Sequence, residues 1–517
     1  MSAFGLDETY YPDESTEILF GAHREIRKRV EMVSPEVWVE GKPASVQLRV
    51  LPEDDVKAMR AEFTMLGRAG SESYEIQVFV AAQSVSIEED MTVASIRVAR
   101  DEDPAEAIWQ ITPERSGPLR VLFSFFCHGG YAGRMALDVE VQKEGESEDS
   151  STLQAEISIR PAGKAPDLYL MVERFPDGDS TELCYHLYSP IDSLTCHYQE
   201  AGSIRYEESG SPESWRQKLF APPPEESDLS ETIQHYAQIG RDLYDAFFPK
   251  QLQGLYWELR ERIQSIQVVS GEHEIPWEAI KPYRNQPAFE DPHLGERYAI
   301  ARWFSGPAPY CEFPVAEGRV LSMDIGKREE SSHNDARFLS AFSLIEYKDL
   351  ENSLKGFRAW MEDINELCSL HISCRGPFEE ADSQQSLPFF SGERMEPGSI
   401  RRGVELPFLN RPLIFMNSSD TGHGGGVPLD PEVWARAFLR TGASVFTGAI
   451  WSVEEDLAHE FARSFYMNLL NRQVLGHAAR LARLAVKMIG LRRGSPAWLA
   501  YVVYGDPVAD ANPARIR

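Results

Sequence analysis

Three scarcities bound what this 517-residue chain can be. Cysteine is scarce: six residues, at 127, 184, 196, 311, 368 and 374, with no CxxC pair. That spacing offers no zinc ligand set and no disulfide framework, so reduced, mostly buried thiols are expected. Positive charge is scarce: 52 Lys and Arg face 81 Asp and Glu, for a net charge of −29. Such a surface repels phosphate backbones and anionic membranes, so direct nucleic-acid or membrane binding is not expected without a local basic patch. A protein or cationic-peptide partner fits better. Long apolar runs are missing: none reaches the about 20 residues needed to span a bilayer. The first residues, MSAFGLDETYYPDESTEILFG, lack the basic-then-apolar order of a signal peptide, so a cytoplasmic location is expected. No metal or other cofactor is expected. The stretch GHGGGV (422–427) is too short for a phosphate loop, and no Lys follows it.

What is present divides into regimes, and the length allows two to four domains. Residues 1–34 include STEILFGAHREIRKRVEMV, a Ser ahead of mixed charged and apolar residues, read as partly helical. Residues 35–160 alternate apolar and polar side chains over short spans: PASVQLRVL, YEIQVFVAA, TVASIRVA, PLRVLFSFF, ALDVEVQ and AEISIR. Short strands at this spacing predict an Ig-like β-sandwich, a fold that usually binds or holds. Residues 161–262 read as an α+β bridge. It contains strand-like LYLMVERF and ELCYHLYSP, a Pro-rich hinge at APPPEES (221–227), and helical stretches after it. From 263 to 517, apolar strands alternate with amphipathic helices, which predicts an α/β layer fold with a mostly parallel sheet and helices on both faces.

In open α/β sheets, function collects at the carboxyl ends of strands. Three such ends are unusual here. VLSMDIG carries Asp324, SLHISCRG carries His371, Cys374 and Arg375, and LIFMNSSDTG carries Ser418, Ser419 and Asp420. The last runs into a Gly-rich loop with His423.

Residues 263 to about 510 resemble the CHAT domains, bacterial relatives of the caspases and separase. HEIPWEAIKP (273–282) followed by LGERYAIARW (294–303) is similar to the family's opening motif, a buried Pro-Trp-Glu and then a strand. LHISCRG resembles its His strand, usually L-H-x-A-[CT]-H-G. FMNSSDTG resembles its Cys strand, usually L-x-A-C-[EQ]-[TS]-G. The segment from Trp434 to Leu470 and the closing WLAYVVYGDP complete five ordered motifs. The resemblance puts the family's catalytic His on Arg375 and its catalytic Cys on Ser419.

Chemistry gives that departure its weight. A Ser hydroxyl needs a general base at hydrogen-bond distance. A guanidinium cannot serve, because it stays protonated and has no acceptor lone pair. Replacing Cys alone would suffice for a substrate trap; replacing both residues points to natural loss. Two histidines are candidate substitutes. His371 lies four residues before Arg375 on the same strand face, about 13 Å away; the plain alternative is that it packs in the strand. His423 sits in the Gly loop and is otherwise a solvated loop residue. Asp324 is either a reader of a basic side chain, as in caspase relatives, or a turn residue. FFCHGG (125–130) copies a Cys-His strand end but lies in the β region. The basic helix HAARLARLAVKMIGLRR is read as amphipathic and core-facing. The expectation is a catalytically degenerate CHAT-type pseudopeptidase that scaffolds or regulates a protease or effector in bacterial defence or programmed death. The alternative is an active peptidase using Ser419 with a relocated base, or an inactivated form of a cysteine peptidase.

Overall fold

The computed structural model describes residues 26–51, 74–87, 92–98, 105–144, 150–159, 165–177, 180–191, 198–206, 215, 218–219, 222–224, 226–272, 274–286, 288–315, 317–324, 346–349, 353–362, 369–375, 387–388, 394–398, 400, 411–420, 431–451 and 453–512. It divides into two compact units, residues 1–165 with 306–308, and 166–305 with 309–517.

The N-terminal unit holds two five-stranded sheets. One runs Ser150–Ile159, Ile26–Pro35, Ala44–Val50, Ala105–Pro113, Val85–Ile87; the other runs Val37–Val39, Gly130–Gln142, Gly117–Cys127, Tyr74–Ala82, Val93–Val98. The period-2 pattern decides which side chains go inside. Ala44, Val46, Leu48 and Val50 are buried and the residues between them are not. Val30, Val46 and Leu48 of the first sheet join Ile76, Val78 and Val121 of the second in one apolar core. There Trp109 meets Phe123 edge-on at 5.3 Å.

Residues 26–35, read from sequence as part of a helical segment, form a strand instead. Val30 and Met32 are buried while Arg29 and Glu31 are not, an alternation that only a strand converts into one apolar face. Residues 1–25 of that segment lie outside the described residues. The Cys-His sequence at 127–128 is a hairpin turn. Cys127 pairs with Gly130, and His128 and Gly129 between them both take positive φ, 51° and 78°. Two such residues are what a type I′ turn requires. Burial, with a smaller contribution from Glu75, pushes the Cys127 thiol up to about 12, so it does not ionise near neutrality.

The C-terminal unit is built on a 12-stranded sheet. Its order is Tyr198–Tyr206, Ser180–Tyr188, Leu168–Asp177, Ser265–Ser270, Ala299–Trp303, Tyr501–Tyr504, Val445–Ala449, Leu413–Asp420, Ser369–Arg375, Glu317–Asp324, Glu346–Asp349, with Val453–Glu454 beside Leu413–Asp420. The stretch read as a bridge thus supplies three strands to this sheet, Leu168 pairing in parallel with Ile266. From Leu168–Asp177 to Tyr501–Tyr504 neighbouring strands are parallel, and so are they from Val445–Ala449 to Glu346–Asp349. The two parallel runs meet antiparallel, at Tyr501–Tyr504 against Val445–Ala449.

Helices cover both faces. Phe415 packs on Phe461 and Phe465 of helix Glu455–Leu470. Phe446, in register with Ile414, packs on Phe438 of helix Pro431–Arg440. Residues 414 and 415 point to opposite faces, so the two helices do as well.

The opening motif forms a buried charge cluster in this unit. Glu278 and Arg302 are linked side chain to side chain, and both are buried. Arg483 lies with one nitrogen 3.9 Å from the same carboxylate and donates from Nη2 to Tyr501 O at 3.0 Å. Its Nε and Nη1 have no partner among the described residues. Burial, reinforced by Arg302 and opposed by Glu278, brings the Arg483 guanidinium down to about 10. Gly295 has to be glycine here: a Cβ would sit 2.9 Å from Glu278 Cβ. Next to it, Glu296 accepts from His293 Nδ1 at 3.0 Å, Trp498 Nε1 at 2.9 Å and Lys487 Nζ at 2.7 Å.

Candidate functional site

The three strand ends singled out from sequence come together in one row. Strands Glu317–Asp324, Ser369–Arg375 and Leu413–Asp420 are consecutive, parallel neighbours. Their register opposes Asp324 to Arg375 and Arg375 to Ser419. Adjacent strands lie about 4.8 Å apart, so the backbones at 375 and 419 are as close as a sheet allows. On its other edge Ser419 pairs with Val453, and Asp420 pairs with Glu454. The strand ends read from sequence therefore stand side by side, with Arg375 opposite Ser419.

Local sequence explains why both strands end there. Ser369 to Ser373 and Leu413 to Asn417 are all buried, as expected of parallel strands covered on both faces. Polar residues follow, at the carboxyl end.

His371 belongs to the layer beneath the row. It is fully buried, stacked on Phe415 with ring centroids 5.0 Å apart and planes 13° apart. Its Nδ1 lies 3.3 Å from Tyr466 Oη on helix Glu455–Leu470. It shares strand parity with Arg375 but stays four residues short of the strand end. His423 lies outside the described residues.

Sequence reading missed the polar support of the Ser419 strand. Asn417, two residues before Ser419, is buried and accepts from Tyr501 Oη at 2.7 Å. The Tyr501 ring stacks on Phe461 at 3.7 Å, and its carbonyl takes the Arg483 hydrogen bond. The strand that carries Ser419 is thus joined through Tyr501 to the buried charge cluster. Nothing in the sequence around either residue announces this pair, whose members are 84 positions apart.

The neighbourhood of the row is acidic. Glu454 is exposed and accepts from Ser495 Oγ at 2.8 Å, and Glu455 and Asp456 open the helix that follows. Acids in a first turn complement the helix dipole, so these two have a structural reason to be there. Among the described residues no group of three or more His, Cys, Asp or Glu could hold a metal ion. Among the described residues no helix is long and apolar enough to cross a membrane.

No curated protein matches this chain. Among solved structures it is similar to the Arg-specific cysteine proteinase gingipain R (RgpB) of Porphyromonas gingivalis, with 10% identity, a TM-score of 0.35, and coverage of 59% of this chain and 76% of that one. A separase–securin complex of Saccharomyces cerevisiae gives 9% identity and a TM-score of 0.36, covering 65% of this chain and 30% of that one. The Drosophila initiator caspase Dronc gives 8% identity and a TM-score of 0.27, covering 40% and 85%. The family model of the CHAT domain matches residues 336–506, a stretch that contains Arg375, Ser419 and Tyr501.

Proposed function

We propose that the chain is a catalytically degenerate CHAT-type pseudopeptidase, working as a scaffold or regulator of an effector or protease in a bacterial defence or programmed-death system. One observation carries the reading: the residues opposed in register at the two strand ends are an arginine and a serine. Arg375, a permanent cation, offers Ser419 no proton acceptor, and without one a hydroxyl's attack on a peptide carbonyl is not assisted. The burial of His371 against Phe415 and Tyr466 supports the same reading, because that imidazole is engaged in the core. The paired sheets of the N-terminal unit fit an Ig-like binding module, and Asp324 with the acidic rim fits a basic side chain of the partner.

A fluorophosphonate probe tests the proposal directly. The unmodified protein is expected to remain unlabelled at Ser419, and Ser419→Ala is expected to retain biological function. Labelling of Ser419 in the unmodified protein would establish the alternative, an active serine peptidase with a relocated base. Restoring the family pair, Arg375→His with Ser419→Cys, is expected to recover reaction with a chloromethyl ketone.

A further inference from the structure

Helix Leu475–Arg492 contains no acidic residue, in a chain where acids outnumber bases 81 to 52. One face packs inward through Leu475, Ala478, Ala479, Ala482 and Val486. An ordinary surface helix would be polar on the other face. This one is not: Leu484, Met488 and Ile489 are 38%, 45% and 39% exposed. Its neighbour, helix Glu455–Leu470, adds Met467 at 37%. The two helices run antiparallel, since Arg493 at the end of one pairs with Asp456 in the first turn of the other. Four of the nine large hydrophobic side chains exposed among the described residues therefore lie on one helical hairpin. The core-facing reading of this helix leaves Leu484, Met488 and Ile489 unaccounted for.

The rim of the patch is basic. Arg492 and Arg493 are exposed, and Arg480, whose Nε donates to Glu296 O at 2.6 Å, is half-buried. The Arg493–Asp456 pair is 46% and 60% exposed, so it holds weakly and can exchange carboxylates.

We propose that this hairpin face docks an acidic amphipathic helix of a partner protein. Leucine-like side chains of the partner would cover Leu484, Met488 and Ile489, and its flanking carboxylates would meet the arginines. Methionine suits such a surface because its unbranched thioether adapts to different shapes. The overall charge of −29 opposes an acidic ligand at long range, but physiological salt screens charges beyond about 8 Å, so the arginines at the rim decide the contact. A second copy of this chain is disfavoured, because it would set one basic rim against another. The proposal does not depend on the chemistry at Ser419.

The test uses the full chain and a fluorescent peptide of roughly 18 residues, about five turns, with Leu along one face and Glu on its flanks. Saturable binding by anisotropy is expected, with none for the same peptide carrying Lys in place of Glu. Met488→Glu with Ile489→Glu is expected to weaken binding at least about tenfold, a 1.4 kcal/mol effect or more. Leu484→Ser should weaken it too, with circular dichroism unchanged. Ile108→Ser, an exposed apolar residue of the other unit at 47%, should have no effect. Absence of saturable binding, equal binding of the Lys peptide, or insensitivity to the hairpin variants would overturn the proposal. So would sedimentation showing a dimer that the double variant dissolves, because the face would then join two copies.

Discussion

In the N-terminal unit the buried charged side chains among the described residues reduce to Arg134, whose Nε donates to Ser124 Oγ at 2.9 Å. In the C-terminal unit Glu173, Glu272, Glu278, Asp291, Glu296, Arg302, Arg483 and Asp506 are all buried. The first core rests on apolar surface removed from water, a force without direction that tolerates swaps of similar volume. The second adds charges that are stable only in particular pairings. Asp291 shows the pattern, accepting from Tyr256 Oη at 2.6 Å, Arg260 Nη1 at 2.7 Å and Arg297 Nη1 at 3.2 Å. A net ion pair of this kind adds little stability, but losing one partner costs a great deal. The contrast therefore predicts responses of very different size to near-isosteric substitution.

The sharpest way to break the comparison is to make one small change in each core. Glu278→Gln leaves two buried guanidiniums without their anion and is expected to cost about 3–5 kcal/mol. Ile76→Val, which removes one methylene from the apolar core, is expected to cost about 0.5–1.5 kcal/mol. Urea denaturation measures both, and equal shifts in midpoint would end the contrast.

A somewhat smaller effect is expected from pH. Burial raises the Glu296 carboxyl, but His293 and Lys487 more than offset it and hold the group at about 2, below its ordinary 4.5. A carboxylate lowered by folding stabilises the native state fully above pH 4.5, and that contribution is lost as pH falls towards 2. The difference amounts to roughly 3 kcal/mol. Glu296→Gln should flatten the stability profile between those limits, as followed by urea titration at a series of pH values. A profile unchanged by the substitution would show that the carboxylate is not held by its cationic neighbours.

The smallest effect concerns the link between the charge cluster and the candidate site. Tyr501→Phe keeps the ring stack on Phe461 but leaves Asn417 Oδ1 without its donor, at an expected cost of about 1–3 kcal/mol. Thermal melting checks this, and a neutral result would mean that Asn417 finds another donor.

The legibility of this chain in its sequence follows the range of the interactions involved. Strands 369–375 and 413–420 were readable because burial on both faces writes an apolar run into consecutive residues. Their adjacency was readable only through motif order, and it was met by the register of Arg375 on Ser419. Residues 26–35 were misread because IRKRVEMV supports helical spacing as well as alternation, and only pairing with Ala44–Val50 and Ser150–Ile159 decides between them. The three strands between 168 and 206 gave no hint that they extend the large sheet, since Leu168 finds Ile266 across a long stretch of chain. Glu278 was recognised as buried, but nothing local identifies Arg302 and Arg483 as its counterions. The Asn417–Tyr501 bond spans 84 residues and has no local signature at all.

The antiparallel seam has a consequence for how the protein is made. Tyr501–Tyr504 follows every other strand of the large sheet in the chain, yet it lies between Ala299–Trp303 and Val445–Ala449. During synthesis the strands on either side emerge first, and neither run can find its inner neighbour until the ribosome has passed residue 504. Closure is a late, long-range event of the kind that slows folding. Until then both inner edges present unpaired backbone to solvent, the usual starting point for aggregation. For this chain, a late exposure of two sheet edges is written into strand order.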